Sequence, residues 1–127
     1  MDFCDKNPAL LAAITLKTTI LEIWNHATGE IVNLIRLIPG ASAKSVSWRP
    51  GSDTEVLVLY SDHVPQIVNL ETEEEIDINY NNVTTACWHP RKPELLLVGF
   101  LNGTVMLYDV NRKKELVIFD KISNSAN

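Results

Sequence analysis

The densest set of ionisable side chains in the sequence is the run Glu71-Thr72-Glu73-Glu74-Glu75-Ile76-Asp77-Ile78. In it Glu71, Glu73, Glu74, Glu75 and Asp77 place five carboxylates within seven positions. Such a run can dock a basic partner by charge, or it can solvate a strand edge and discourage sheet-to-sheet aggregation. These five residues are the candidate partner-binding set, and no pair of carboxylates is singled out for hydrolysis. His26, His63 and His89 each stand alone, without a second ligand type three or four residues away and without a Ser or Cys nucleophile motif. They therefore read as surface histidines and not as metal ligands or bases. Cys4 and Cys87 lie 83 positions apart with no C-x-x-C, so neither a disulfide framework nor a zinc site is indicated, and both are expected to be reduced and partly buried. The five glycines form neither G-x-x-x-x-G-K nor G-x-G-x-x-G, which leaves nucleotide-dependent chemistry without support. The expectation is a chain with no catalytic, cofactor or metal site.

Sixteen acidic against eleven basic residues give a net charge of −5, which works against a phosphate-backbone partner, because nucleic-acid affinity comes from clustered Lys and Arg. The one basic cluster, Arg112-Lys113-Lys114, is followed at once by Glu115 and reads as a solvated turn. No stretch approaches the roughly 18 apolar residues of a membrane span. The segment Met1-Asp2-Phe3-Cys4-Asp5 lacks the basic-then-apolar plan of a signal peptide, so the expected location is intracellular, cytoplasmic or nuclear. Asn82-Val83-Thr84 and Asn102-Gly103-Thr104 match the glycosylation pattern but read as turn residues.

The elements that position these groups emerge from a repeat. Val46-Ser47-Trp48-Arg49-Pro50 recurs as Ala86-Cys87-Trp88-His89-Pro90, with Trp48 and Trp88 separated by 40 residues. About 20 residues after each tryptophan comes a second marker, Val68-Asn69 and Tyr108-Asp109, and the same interval leads from Phe3 to Trp24-Asn25. Three units follow, at about residues 1–41, 42–80 and 81–120, with a tail at 121–127. Within each unit the apolar, β-branched runs are four to eight residues long and end at turn formers, the signature of short strands. The predicted strands are Leu10 to Leu16, Ile20 to Asn25 and Glu30 to Leu37 in the first unit. They are Ser42 to Trp48, Glu55 to Tyr60, Val64 to Leu70 and Glu74 to Ile78 in the second, and Asn82 to Trp88, Glu94 to Phe100, Thr104 to Val110 and Glu115 to Phe119 in the third. A turn is expected near Lys17-Thr18-Thr19, and Asn102-Gly103 signals a type I′ hairpin. Pro65, inside the predicted strand Val64 to Leu70, implies a bulge or local break. Four strands about every 40 residues is the spacing of a propeller blade, whereas helical repeats need 33 or so residues and long 3.6-period stretches.

At these positions the chain resembles the WD40 repeat family over nearly its whole length. Leu11-Ala12-Ala13 through Ile20-Leu21-Glu22-Ile23-Trp24-Asn25, then Thr28-Gly29-Glu30, looks like the family's second and third strands, its Trp-Asp dipeptide and its exit turn. Leu95 to Gly99 and Asn102 to Asp109 are similarly close, with Tyr108-Asp109 in place of the dipeptide. Asp62 and Asn102 fall where the family has a structural Asp. The family's Gly-His dipeptide is missing from all three units, so its buried His network cannot form and more apolar blade cores are expected.

The resemblance implies an all-β chain of about three four-stranded antiparallel blades, part of an incomplete β-propeller. Ile23, Trp24, Trp48, Trp88, Leu107 and Tyr108 are expected inside or between blades. Propellers have about four to eight blades, so the chain is expected to be a fragment or to be completed by another copy or another chain, with a first blade lacking most of its innermost strand. The implied function is a non-catalytic scaffold that mediates protein–protein interaction within a larger complex, with other proteins, and neither nucleic acid nor a membrane span, as partners. The alternative is a propeller enzyme or small-ligand binder using the central channel.

Overall fold

Short runs of apolar and β-branched residues interrupted by turn formers become twelve strands, with no helix among the described residues, which in this computed structural model are 2–14, 20–38 and 41–119. The strands form three four-stranded antiparallel sheets. The first holds β1 (Asp2–Phe3), β2 (Leu10–Ile14), β3 (Ile20–Asn25) and β4 (Glu30–Arg36). The second holds β5 (Ala43–Trp48), β6 (Glu55–Tyr60), β7 (Gln66–Asn69) and β8 (Glu75–Asp77). The third holds β9 (Val83–Trp88), β10 (Leu95–Phe100), β11 (Val105–Asp109) and β12 (Lys114–Phe119). In each sheet the strands lie side by side in chain order. The first two sheets form one compact unit, Met1–Tyr80, and the third belongs to a second, Asn81–Asn127. The end of the predicted strand Leu10 to Leu16, the turn at Lys17-Thr18-Thr19 and the tail 121–127 lie outside the described residues.

The same backbone hydrogen bonds close the same turns in all three sheets. Cys4, Arg49 and His89 donate to the carbonyls of Leu10, Glu55 and Leu95, and His26, Leu70 and Val110 donate to those of Ala9, Thr54 and Glu94. The residue after each aromatic or valine marker shapes the exit turn. Asn25 Oδ1 accepts from the Ala27 and Thr28 N–H groups, Asn69 Oδ1 from Glu71 and Thr72, and Asp109 Oδ1 from Arg112. A short side-chain acceptor that folds back on its own turn is what Asn and Asp supply. Four residues after each of them the chain enters the left-handed region, at Gly29 (φ 73°), Glu73 (φ 62°) and Lys113 (φ 54°).

Two local readings are corrected. At Asn102-Gly103 only Gly103 has a positive φ, 89°. Its N–H donates to Phe100 O at 3.0 Å and the Phe100 N–H donates to Thr104 O at 2.9 Å. The loop is therefore three residues closed by a left-handed glycine, a G1 bulge and not a type I′ turn. Asn102 Oδ1 is held by the Thr104 N–H at 2.9 Å, which keeps Asn102 in its own turn. Pro65 does not interrupt a strand, because β7 starts just after it at Gln66, and its carbonyl accepts from the Ile78 N–H.

The core of the first unit is apolar and joins its two sheets. It includes Ala12, Leu21, Ile23 and Ile35 from the first sheet and Val46, Trp48, Val56, Val58, Tyr60 and Val68 from the second. Two hydrogen bonds stitch the same seam, from the Trp48 N–H to Asp2 Oδ2 at 2.8 Å and from the Trp48 indole N–H to Asp2 O at 2.9 Å. In the second unit Trp88, Leu96, Val98, Met106 and Tyr108 are buried. Of the expected core residues Ile23, Trp48, Trp88 and Tyr108 are buried, while Trp24 and Leu107 are half-buried. Asp62 occupies its expected structural place, Oδ1 accepting from the Ser42 N–H at 2.8 Å. Among the described residues no helix is long and apolar enough to cross a membrane.

Candidate functional site

The turn that carries the acidic run is set by Asn69 and by Glu73 in its left-handed conformation, so Glu71, Glu73 and Glu74 project from a tight loop at the end of β7. The chain then returns as β8, the last strand of its sheet, paired with β7 through Gln66↔Asp77, Ile67↔Ile76 and Val68↔Glu75. Alternation along β8 puts Glu75 and Asp77 on one side and Ile76 on the other. All five carboxylate residues are exposed, and among the described residues none of them takes part in an ion pair. Charge accumulates at this edge without a counter-ion among the described residues, and its field is directed into solvent.

Two of the five carboxylates are oriented from below. Gln66 is only 3% exposed, and its amide donates to Asp77 Oδ1 at 2.7 Å and to Glu75 Oε2 at 3.4 Å. Its Oε1 accepts the Tyr60 hydroxyl at 2.9 Å. A polar row thus crosses β6, β7 and β8, and every buried group in it has a partner, as burial requires. Burial, with the nearby Glu75 and Asp77 charges adding to it, pushes the Tyr60 phenol up to about 12. At neutral pH the row consists of two neutral donors under two carboxylates, which fixes the direction of the charges without neutralising them. Tyr60 and Gln66 were not singled out in the sequence. Their signal is the one amide in the otherwise apolar segment Pro65-Gln66-Ile67-Val68, since a buried amide demands partners.

The remaining candidates serve turns. His26 Nε2 lies 2.7 Å from Pro8 O, and its ring meets Phe3 edge to face. His63 packs edge to face on Tyr60. His89 Nδ1 accepts from the Arg91 and Lys92 N–H groups, both at 3.1 Å. Cys4 does the same job in the first sheet, its Sγ accepting from the Asn7 N–H. Both cysteines are free thiols. Cys4 is buried, but Cys87 is exposed and not partly buried, because it sits on a face of β9 that is open to solvent. Among the described residues no three His, Cys, Asp or Glu side chains converge as metal ligands. An open pocket of about 400 Å³ in the second unit is lined by Asn81, Asn82, Phe100, Leu101 and Asn102, amide and apolar groups that supply neither a general acid nor a base.

No protein-family model matches the sequence, and no curated protein matches it. The fold does have a match among solved structures. The β-propeller domain of Cps50 (Swd1) from Myceliophteria thermophila superposes with a TM-score of 0.77 over 93% of this chain at 12% sequence identity. The chain spans 40% of the length of that solved protein. At this identity the likeness establishes architecture: the three sheets are arranged as β-propeller blades.

Proposed function

We propose that these blades act as a non-catalytic scaffold inside a larger protein assembly, and that the acidic edge formed by Glu71, Glu73, Glu74, Glu75 and Asp77 is a docking surface for a partner protein that presents Lys and Arg. Propeller blades are rigid platforms whose loops and edges carry the recognition, and fold alone does not fix function. The observation that carries the reading is the buried Gln66 amide, which holds Glu75 and Asp77 in place at an edge whose carboxylates form no ion pair among the described residues. A run that only kept the edge soluble has no need of a buried residue to aim it.

The test separates charge from fold through Glu73. Its left-handed φ of 62° is strained for a residue with a Cβ and free for glycine. Glu73→Gly is therefore expected to leave stability unchanged or raise it by about 1 kcal/mol, while weakening capture of the partner. A quadruple variant, Glu71→Gln, Glu74→Gln, Glu75→Gln and Asp77→Asn, should strongly weaken capture with its unfolding midpoint kept. Co-purification from cells with wild-type and variant chains reads both. Equal partner recovery by wild type and quadruple variant would remove the acidic edge from the function.

A further inference from the structure

One apolar contact between blades is visible inside the first unit, and it has two sides. The first sheet contributes Ala12, Leu21, Ile23 and Ile35, each at most 3% exposed, and the second contributes Trp48, Val56, Val58 and Val68. The recurring turn hydrogen bonds and the strand registers fix which residues of the other sheets are equivalent. Leu10 corresponds to Leu95, so Ala12 corresponds to Leu97. Ile23, paired with Asn33, corresponds to Leu107, paired with Val117, and Leu21, paired with Ile35, to Val105, paired with Phe119. Even the irregularity in the outer strand falls at the same place, between Ile23 and Trp24 and between Leu107 and Tyr108.

The third sheet therefore owns the face that is buried in the first sheet, and there it is open. Leu97, Val117 and Phe119 are 38%, 43% and 52% exposed. The first sheet owns the complementary face. Phe3, Leu11, Ala13 and Trp24 are the equivalents of Trp48, Val56, Val58 and Val68. On that face Phe3, Ile31 and Leu34 are exposed and Leu11, Ala13 and Trp24 only half-buried. One chain thus displays both halves of a contact that it also shows closed, and isolated apolar patches of this kind mark interaction sites.

We propose that the open face of the third sheet receives the open face of the first sheet of a second copy of this chain, repeating head to tail the contact between the first two sheets. The occupant is a second copy because the arrangement required of it, an aromatic on the first strand, two aliphatic side chains on the second and an apolar side chain on the third, is one the chain itself presents in Phe3, Leu11, Ala13 and Trp24, with Trp24 taking the place of Val68. The contact is heterologous, joining different surfaces of the two copies, and that property supplies the test.

Val117→Glu with Phe119→Glu blocks the third-sheet face, and Phe3→Glu with Leu34→Glu blocks the first-sheet face. All four positions are exposed, so each variant should keep a cooperative melt. Leu101→Glu, in the β10–β11 turn and on neither face, controls for added charge. In sedimentation equilibrium over a concentration series, wild type and the control should associate beyond the 14.2 kDa chain, and each blocked variant should be monomeric. Mixing the two blocked variants leaves one intact contact and should give a 1:1 complex at twice the chain mass and nothing larger. A monomeric wild type, as expected if blades of another protein occupy these faces, overturns the proposal. So does a mixture that stays monomeric, or a blocked variant that still associates.

Discussion

Replacing Trp48 with alanine should destabilise the chain by about 3–5 kcal/mol, the range for deleting a large buried aromatic. Trp48 fills the seam between the first two sheets, and its indole N–H and backbone N–H both end on Asp2, so the variant loses packing and leaves the Asp2 backbone carbonyl without its indole donor, while the backbone N–H to the carboxylate is kept. Trp24, at the other end of the repeat's aromatic pattern, is half-buried on an open face. Trp24→Ala should accordingly lose clearly less, although the sequence alone suggests the same 3–5 kcal/mol for it. Urea unfolding of the two variants under one set of conditions decides the matter, and a loss at Trp24 equal to or larger than that at Trp48 contradicts the packing described.

The second large effect is expected in alkali. Tyr60 titrates near 12 in the folded chain against 10 for a free phenol. A folded value above the unfolded one means that the folded state holds the proton more tightly, so the stabilisation is intact below pH 10 and is lost as pH climbs toward 12. A shift of this size corresponds to about 1–3 kcal/mol, with the upper end reduced by the solvent around Glu75 and Asp77. Tyr60→Phe should lose about 1 kcal/mol at neutral pH, with its hydrogen bond to Gln66, and should show a shallower decline across pH 10 to 12 than wild type. Tyr108 is raised too, chiefly by burial, so the comparison rests on the difference between the two slopes. Parallel slopes for wild type and Tyr60→Phe would mean that the phenol does not sit in the polar row.

Much of this architecture can be read from residue types because each blade repeats one solution. Trp48 and Trp88, 40 positions apart, mark corresponding strand ends, and Asn25, Asn69 and Asp109 mark corresponding turns. Less legible is anything decided by what covers a face. Trp24 has the composition of a core residue and occupies a core position of the repeat, but its exposure depends on a neighbouring blade that its own sequence window does not encode. The Asn102-Gly103 turn departs from its sequence signal for a local reason. The dipeptide suits two left-handed residues, yet the chain uses only glycine's freedom and spends Asn102 on the Thr104 N–H. The apolar run continues through Pro65 and so extends the expected strand across it, whereas pairing begins one residue later, at Gln66, where an N–H is present to donate.

The candidate site was legible as charge and not as structure. Five carboxylates in seven positions are plain in the sequence, but their support is not, because Tyr60 and Gln66 reach Glu75 and Asp77 only through strand pairing across β6, β7 and β8. The non-local row is what distinguishes an aimed acidic edge from a merely solvated one.

The most direct measurement is the affinity of the captured partner for the wild-type chain across a series of salt concentrations, repeated with the quadruple charge-neutralised variant. Exposed charges are screened over about 10 Å at 0.1 M salt. Docking through the acidic edge therefore predicts that wild-type affinity falls steadily with salt, and that the variant binds weakly with a nearly flat dependence. A wild-type affinity that is flat in salt, or a variant that binds as tightly as wild type, contradicts the account.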